Sequence, residues 1–507
     1  VSAARFSSDG ASVVYSALWG GAPARLFSMR LDRLLEQPLG MEGELVGTAG
    51  GEVAYLRADG TQLRAPLAGG GAREVAKNVI VADWSKDGTS FAVARNSGAK
   101  QVLEFPIGRQ VHETVGVYNW ISLSPDGRRV AFVENPGATE LEKRVWVADA
   151  SGSRVLAAGD LRLGATSVCW SPDGQELWLS TARSDNRGLH ALSLDGRLRT
   201  LTRSPQIPLL QDTSPDGRAL VGFGRIYGAA AGLAPNQTVE RELTIGQFGQ
   251  AWDISPDGRR YLIFAGVDDK GLSAYLGSIE GSPPVRLGYG QPNAFSPDGS
   301  MVVAWRNAPA GRSLVLLPTG AGEPRELPLG TVASFLDVRF LPDGRRLLLS
   351  ANEEGKPYRL FVAELPDGLP RPITPEGIFT EYSFATPDGS WVAAGADPMA
   401  APYELYPIAG GEPQPIRGLK AGDIPLRFTA DGRRLFVRHQ LNDDHTAARI
   451  ALLDLATGRR QPWKVLRPAD PSGVIGVGFV YLSSDGQAYV YNYARNFSDL
   501  FLVKNLK

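Results

Sequence analysis

The stretch Phe295-Ser296-Pro297-Asp298-Gly299 contains a phrase that returns along the whole chain. Other complete copies of Ser-Pro-Asp-Gly end at Gly127, Gly174, Gly217 and Gly258. Looser copies end at Gly10, Gly88, Gly344, Gly389, Gly432 and Gly486. The aspartates of these phrases recur mostly at steps of 39 to 47 residues. A fixed period of this size indicates a repeat architecture, in which each repeat is one small structural unit.

The residue types of the phrase favour a tight turn between two strands. Proline presets φ for the second turn position, aspartate suits the next one, and glycine takes the left-handed conformation that joins hairpin strands. In residues 163–205, apolar or alternating segments predict strands at 165–170, 176–181, 189–194 and 199–202. Four short strands joined by tight turns indicate an antiparallel meander.

Repeated four-stranded sheets must stack, because one sheet alone cannot bury both of its faces. Sheets that stack radially close a ring and leave only short protected edges, which is the β-propeller architecture. No segment of 12 or more residues has apolar positions at helical spacing, so a helical bundle is excluded. The sequence therefore predicts an all-β protein built as a β-propeller.

The number of repeats predicts two rings. The gap between Asp9 and Asp87 spans nearly two periods, and residues 44–56 fit a degenerate copy with Gly50-Gly51 as its turn. This copy brings the count to twelve, more than the four to eight blades of one ring. We expect two consecutive six-bladed propellers of four-stranded antiparallel blades, an N-terminal one at 1–246 and a C-terminal one at 247–507. A five-plus-seven division and a nested arrangement, in which both chain ends share a ring, stay open.

The ends of the sequence fall at different points of the repeat. Residues 3–6 match the first strand of a repeat, and residues 499–503 match the third. We therefore expect one blade to have three strands, or to be completed by another segment. Four full strands supplied by residues 475–507 alone would contradict this interpretation.

Composition excludes several classes of partner. The net charge is -1 with a pI near 6.6, whereas a nucleic-acid-binding protein needs a basic field. No run of apolar residues is long enough to span a bilayer, so we expect no membrane insertion in this chain. The single cysteine, Cys169, excludes an internal disulfide and is expected to be a small buried apolar residue.

The turn phrase, its period and the following apolar strand resemble the propeller repeats of TolB and its relatives. Similar repeats occur in prolyl-oligopeptidase-like peptidases and in the tricorn protease. A narrower resemblance is to the propeller region of some bacterial receptor-like serine/threonine kinases. It is carried by these segments: Phe6-Ser7-Ser8-Asp9-Gly10, Leu26-Phe27-Ser28-Met29-Arg30, Leu103-Glu104-Phe105-Pro106-Ile107-Gly108 and Ser498-Asp499-Leu500-Phe501-Leu502-Val503. That resemblance implies a sensor half outside the cytoplasm, with a membrane helix ahead of it.

Catalytic motifs are missing from the sequence. No G-x-S-x-G elbow, H-E-x-x-H, C-x-x-C or Walker A motif occurs, and the motifs of a kinase domain are absent as well. The four histidines are His112, His190, His439 and His445, and none belongs to a recognisable catalytic motif. We expect no catalytic residue, no cofactor and no metal site, although Asp443 and Asp444 leave a cation in their loop open.

A ligand is expected at the mouth of a ring, near the strand that lines the central channel. Large or polar residues without an obvious local role precede several turn phrases, and mixed aromatic and polar groups are typical of ligand sites. The candidate site residues are Trp120, Gln211, Asp212, Gln250, Trp252, Asn293, Asp337, Glu381, Tyr382 and Arg427. The partner would be a small molecule, a peptide or a protein.

Together these features predict a non-catalytic sensor or binding module. Its expected place is the periplasmic or extracellular side of a bacterial membrane, as part of a serine/threonine kinase receptor. Three alternatives stay open: a TolB-like protein–protein scaffold, a prolyl-oligopeptidase-like propeller without its hydrolase domain, and a cytoplasmic regulator in which a propeller follows a DNA-binding domain.

Overall fold

The computed structural model consists of strands and connecting turns. It describes all residues except 19–22, 98–99, 137–142, 150, 158–164, 183–186, 245–248, 269–270, 309–310, 381–384, 397–400, 440–444, 505 and 507. No helix occurs among the described residues, and so none there could cross a lipid bilayer. The chain divides into a first unit, Val1–Arg225 with Asn496–Lys507, and a second unit, Ile226–Arg495.

The first unit contains five four-stranded antiparallel sheets and part of a sixth. The five sheets, each in chain order, are β1(Ala3–Phe6) β2(Ser12–Ala17) β3(Arg25–Arg30) β4(Leu35–Glu42); β5(Glu44–Ala49) β6(Glu52–Leu56) β7(Gln62–Pro66) β8(Arg73–Ala76); β9(Val79–Trp84) β10(Phe91–Ser97) β11(Lys100–Glu104) β12(Gln110–Thr114); β13(Val117–Leu123) β14(Val130–Asn135) β15(Arg144–Asp149) β16(Gly152–Ala157); and β17(Ala165–Trp170) β18(Glu176–Thr181) β19(Gly188–Ser193) β20(Leu198–Arg203). The sixth begins with β21(Pro208–Thr213) and β22(Ala219–Leu233).

The second unit repeats this plan. Its sheets are β24(Gln250–Ile254) β25(Arg260–Asp268) β26(Gly271–Ser278) β27(Val285–Tyr289); β28(Gln291–Phe295) β29(Met301–Ala308) β30(Gly311–Pro318) β31(Arg325–Leu327); β32(Val332–Phe340) β33(Arg346–Glu353) β34(Arg359–Glu364) β35(Arg371–Pro372); β36(Trp391–Ala394) β37(Glu404–Pro407) β38(Gln414–Pro415); and β39(Asp423–Phe428) β40(Arg434–His439) β41(Ala448–Asp454) β42(Arg460–Leu466). The remaining strands are β23(Arg241–Glu242), β43(Val474–Leu482) and β44(Tyr489–Val503).

Two 15-residue strands, β22 and β44, complete the last sheet of each unit. The strand order is β21-β22-β44-β43, with β23 paired to β22. In the first unit, the early part of β22 and the late part of β44 continue the sheet begun by β21. In the second unit, β43, the early part of β44, the late part of β22 and β23 form a four-stranded sheet. Within the described residues, each unit therefore has six sheets.

In the first unit the inner strands close a ring. They contact one another in the order β1, β5, β9, β13, β17 and β21, and β21 contacts β1 again. In the second unit β39, β43, β24, β28 and β32 follow one another in the same manner. The prediction of an all-β protein with two six-bladed β-propellers is thus confirmed.

The chain follows the nested arrangement, in which both chain ends belong to the same ring. The expected boundary between residues 246 and 247 is replaced by crossings inside β22 and β44, and the first ring contains both chain ends. The boundary had no sequence signal because β22 is one continuous strand. Residues 475–507 do not supply four strands of their own, since β22 and β23 complete their sheet, as expected.

Several local predictions are also confirmed. The repeat at residues 163–205 forms β17 to β20, each within one residue of the expected bounds. The degenerate copy forms the hairpin of β5 and β6, with Gly50 and Gly51 both at positive φ, 55° and 78°. Such a pair is the usual two-residue connection of twisted strands.

The turn phrase is held by a network of local hydrogen bonds. In Ser296–Ser300, the Ser296 hydroxyl donates to Asp298 Oδ1 at 2.6 Å, and the Ser300 N–H donates to the same oxygen at 3.1 Å. The Gly299 N–H donates to the Ser296 carbonyl at 2.8 Å, and the Met301 N–H donates to the Ser296 hydroxyl at 2.9 Å. The hydroxyl thus bridges the aspartate and the next strand, which explains serine or threonine at the first turn position.

Neighbouring blades are joined by an arginine that follows the turn. Arg129 lies over the Trp170 ring of the next blade at 4.5 Å and donates to the Gly174 carbonyl at 2.9 Å. Arg218 makes the equivalent contacts with Phe6, at 5.1 Å, and with the Gly10 carbonyl, at 3.0 Å. This second contact joins the last blade of the first unit to its first blade. The aromatic residue ahead of the turn therefore packs between sheets.

We expect the turn glycine to carry part of the stability of each blade. Gly344 has φ +67°, and an added Cβ would meet only Pro297 Cδ at 3.7 Å, an ordinary contact. Gly344→Ala should therefore lower the free energy of unfolding by about 1–2 kcal/mol through backbone strain alone. Urea unfolding followed by tryptophan fluorescence measures this change.

The matched control is Gly320→Ala, where nothing lies within 4 Å of the added Cβ and φ is not positive. This variant should change the free energy of unfolding by less than about 0.5 kcal/mol or raise it slightly. Equal effects of the two substitutions would contradict the assigned role of the turn glycine.

Candidate functional site

In both units, one position of the repeat supplies residues to the central cavity of the ring. This channel position lies immediately before the apolar residue that precedes the turn phrase. In the first unit, all six channel residues are buried and line one central cavity: Arg5, Thr48, Asp83, Ser122, Cys169 and Asp212. Because every inner strand ends at its own copy of the turn phrase, the side chains at this position lie at the same level of the ring.

The charged residues of the first cavity form a connected network. Arg5 donates to the Gln211 carbonyl at 2.9 Å and lies 3.5 Å from Asp83. The other Asp83 oxygen accepts the Leu123 N–H at 2.7 Å, and Asp212 accepts the Phe6 N–H at 2.8 Å. These carboxylates therefore bind backbone donors of neighbouring inner strands as well as cations, and so they tie the blades together.

Lys86 spans the mouth of the first unit. It occupies the second position of its turn phrase, where most copies have proline. Its amine reaches Asp212 at 2.6 Å, three blades away and therefore on the opposite side of the six-membered ring. The central cavity measures about 50 Å³, which is room for a few water molecules at most.

Burial and charge act against each other in the first cavity. Burial lowers the pKa of Arg5, but the carboxylates of Asp83 and Asp212 raise it by more, so the guanidinium stays charged. Burial raises the pKa of Asp83, and Arg5 opposes that rise. Burial also raises the pKa of the Cys169 thiol, which therefore remains protonated and acts as a small apolar residue.

The second unit has a larger central cavity of about 300 Å³. Its rim is formed by the second residue of every turn phrase in that unit. These residues are short: Pro256, Pro297, Pro342, Pro387, Ala430 and Ser484. None has a side chain comparable in reach to that of Lys86, and the cavity opens between them.

The wall of the second cavity carries two arginines and one aspartate. Arg339 lies 3.3 Å from Asp253 and donates through Nε to Asp337 at 3.0 Å. Arg427, which is half-buried, donates to the backbone carbonyl of Leu482 at 2.9 Å. Asp253, Arg339 and Arg427 all occupy the channel position of their repeats.

The two arginines of this cavity differ in their electrostatic surroundings. Burial lowers the pKa of Arg339, but Asp337 and Asp253 more than offset this effect, and the net pKa is raised. Burial lowers the pKa of Arg427 as well, and there the attraction of Asp253 and Asp485 does not compensate.

The candidate residues of the first unit do come together. Trp120, Gln211 and Asp212 all line the first cavity, and the Gln211 side chain accepts the Ala4 N–H at 3.3 Å. They lie around charged groups that sequence reasoning did not select, Arg5 and Lys86 among them.

The candidate residues of the second unit are dispersed. Arg427 lines the second cavity, whereas Asp337 lies behind Arg339 as its ion-pair partner. Trp252 packs against Phe264 and Phe479, with ring centroids at 6.0 and 6.4 Å.

Two further candidates lie elsewhere, and two cannot be placed. Asn293 is 1% exposed, and its amide has no hydrogen-bond partner among the described residues. Gln250 lies beside Gly228, away from the residues that line the second cavity. Glu381 and Tyr382 lie outside the described residues, as do Asp443 and Asp444.

The two cavities open at the turn phrases. Asp212 and Arg427 hold the channel position, whereas the other candidates lie one to three residues earlier in the sequence of their repeats. Sequence reasoning therefore missed Arg5, Asp83, Lys86 and Arg339. A usable signal existed, because charged residues recur at one fixed distance ahead of the turn serine. In the part of the chain that is described, no group of three or more His, Cys, Asp or Glu could hold a metal ion.

Comparison with known proteins shows a similarity of fold but does not assign the chain to a family. Neither a protein-family model nor a curated protein sequence matches the chain. Among solved structures, the chain is similar to TolB from Acinetobacter baumannii, with 14% identity, a TM-score of 0.26, and coverage of 63% of this chain and 84% of TolB. It is also similar to the tricorn protease, with 10% identity, a TM-score of 0.39, and coverage of 99% and 58%.

A prolyl endopeptidase is a third similar structure, with 16% identity and a TM-score of 0.32. The match covers 71% of this chain and 52% of the endopeptidase, so the chain spans about half the length of that enzyme. These proteins belong to the groups whose propeller repeats the turn phrase resembles.

The ion pair across the first mouth should contribute to stability. Lys86→Met would leave the Asp212 carboxylate, whose side chain is 9% exposed, without its amine partner. We expect the free energy of unfolding to fall by about 1–3 kcal/mol, the usual cost of a buried charged group that loses a hydrogen bond. The double variant Lys86→Met/Asp212→Asn should recover part of this loss, because the uncompensated charge is removed.

Lys100→Met provides the control for this experiment. Lys100 and Glu113 are 2.7 Å apart, but both side chains are 49% exposed. Such a pair contributes about 0–1 kcal/mol, so the variant should stay near the wild type in urea unfolding. If Lys86→Met were as mild as Lys100→Met, the ion pair would have no special structural role.

Proposed function

We propose that this chain is a non-catalytic binding module and that its ligand enters the central cavity of the second unit. The observation that supports the proposal is the difference between the two cavities. They occupy equivalent places in equivalent rings, yet one measures about 50 Å³ and the other about 300 Å³. The larger value lies at the lower end of the range of small-molecule sites.

The difference has a local cause. The turn position that carries Lys86 in the first unit carries proline, alanine or serine in the second. The first cavity is also filled by charged side chains that form ion pairs with one another. In the second, two arginines and one aspartate line a space open to solvent. The first ring thus has the features of a closed structural element, and the second those of a receptor site.

The proposal excludes catalysis by this chain. A hydrolase of the prolyl-oligopeptidase type needs a nucleophile elbow, and the sequence has none. His439 lies 2.9 Å from the buried Asp423, which also pairs with Arg460. Because Asp423 already pairs with Arg460, we interpret these three residues as a structural ion cluster and not as part of a catalytic site.

The finer proposal concerns the setting of the module. We infer from the resemblance of its repeats that it is the sensor half of a bacterial receptor-type serine/threonine kinase, outside the cytoplasm. Ligand capture would then change how the kinase domains on the other side of the membrane are juxtaposed. Sequencing the gene ahead of Val1 tests this setting, because a kinase domain and a membrane helix should be encoded there. A DNA-binding domain in their place would indicate a cytoplasmic regulator.

The binding proposal is tested by closing the second cavity. Ser484→Trp places a large side chain on the rim of that cavity. We expect ligands that raise the melting temperature of the wild type, in a screen of sugars, peptides and cell-wall fragments, to lose that effect in the variant. The cause would be steric, because the indole occupies the entrance.

Ser8→Trp is the matched control. Ser8 holds the same position in a turn phrase of the first unit, is exposed and does not line the first cavity. This variant should keep the ligand response of the wild type. A ligand that stabilises Ser484→Trp as strongly as the wild type binds elsewhere, and it would favour a scaffold with its contacts on another surface.

A further inference from the structure

We propose that the second unit has another ligand site, a cavity on one face of the β39–β42 blade, and that this site binds a small organic anion with an apolar body. This outer cavity is lined by residues of β40, β41 and β42 and shares no lining residue with the central cavity of the unit. It measures about 490 Å³, more than either central cavity and within the range of small-molecule sites.

The strand register places the lining side chains on one face of the blade. Val437 lies opposite Ala451, and Ala451 lies opposite Pro462. Arg449 is two residues from Ala451 along β41 and lies opposite Val465. Residues opposite each other, and alternate residues of one strand, share a face of a sheet. These five side chains therefore form one continuous surface.

The described strands of the preceding blade cover only part of this surface. Leu435 and Leu453, nearer the turn phrase, pack with Ala393 and Tyr403 of that blade. However, β36 and β37 have four residues each and β38 has two, whereas β40, β41 and β42 have six or seven. The shorter sheet leaves a space beside the longer one, and Val465 is 51% exposed there. A ligand with an apolar body would remove this surface from water.

The charge of the blade favours an anion. No acidic residue is among the described residues that line the outer cavity. Residues 423–467, which form the blade, include nine Lys and Arg against five Asp and Glu, although the complete chain has a net charge of -1. A negatively charged ligand is therefore complementary to this part of the protein.

Arg449 is the cation placed to meet the anionic group. It is exposed, and its guanidinium forms no hydrogen bond or ion pair with another described residue. The ammonium of Lys464 donates instead to the Tyr489 hydroxyl at 3.2 Å. An anion beside Arg449 would accept a charge-assisted hydrogen bond from a donor that the described part of the protein does not use.

Two further polar residues of the wall are held in place from behind. Asp423 is buried and accepts from His439 Nδ1 at 2.9 Å and from Arg460 Nη1 at 3.1 Å. Arg460 also donates through Nε to the Gly418 carbonyl at 3.1 Å. These bonds fix both side chains before a ligand arrives, so little of the wall has to be ordered on binding.

The experiment compares an apolar anion with its neutral counterpart on the full chain. The probes 2-naphthoate and 2-naphthamide have the same body and differ in charge, and isothermal titration calorimetry measures both. At low ionic strength we expect the anion to bind about tenfold more tightly than the amide, in line with the gain of one charge-assisted hydrogen bond. Equal binding of the two probes, or no binding of either at millimolar concentration, would overturn the inference.

Variants then locate the interaction. Arg449→Gln should weaken binding of 2-naphthoate by about tenfold and leave 2-naphthamide unchanged. Arg433→Gln removes the same charge from an exposed residue of the same blade that does not line the outer cavity, and it should have no effect. Val465→Glu places a carboxylate opposite Arg449, where it competes with the ligand, and should also weaken binding of the anion. Both test positions are exposed, so these variants should fold as the wild type does.

One further variant separates this inference from the proposed function. Ser484→Trp closes the central cavity and should leave binding of 2-naphthoate unchanged. If binding were lost in Ser484→Trp and kept in Arg449→Gln, the anion would bind in the central cavity; the outer site would be wrong and the proposed function supported. The probe 2-naphthyl phosphate identifies the anionic group, because tighter binding than 2-naphthoate indicates a phosphate ester and weaker binding a carboxylic acid.

Discussion

The structure depends on how each inner strand ends. A hydroxyl, a carboxylate and a left-handed glycine hold the turn after the strand, as in Ser296, Asp298 and Gly299. Because the same local bonds recur in repeat after repeat, the strands stop at one level of each ring. The channel residue and the rim residue are consequently placed by counting from the turn. Their chemical identity can vary without disturbing the frame.

This separation explains what the sequence could and could not predict. Turn chemistry is local, so the sequence predicts the repeats correctly. It also predicts the strands of residues 163–205 and the degenerate hairpin at Gly50-Gly51. The nested path was left open because the chain crosses between units inside the unbroken strands β22 and β44. The Lys86–Asp212 pair joins residues 126 positions apart, and no local sequence pattern predicts this contact. Four of the sequence candidates, Trp120, Gln211, Asp212 and Arg427, line the central cavities, and their contact with a ligand stays a prediction.

The two rings show how one frame can hold two different central cavities. In the first, a lysine at a rim position and three charged groups near the axis pair with one another and leave little open space. In the second, rim residues are short and the arginines differ in their partners. A few side chains at two positions of the repeat therefore set how much open space each ring encloses. The arginine that packs on the aromatic residue of the next blade occurs in both rings.

The long strand β44 also has a consequence for synthesis on the ribosome. Residues 226–495 are contiguous and contain every strand of the second unit, so this unit can fold as soon as it has emerged. The first unit begins earlier but lacks a strand of its last blade until residues 496–503 appear. The ring that starts the chain is thus the one that is finished last, and its open edge must wait while the inserted ring is made. We therefore expect the two rings to be completed in the reverse of the order in which they begin.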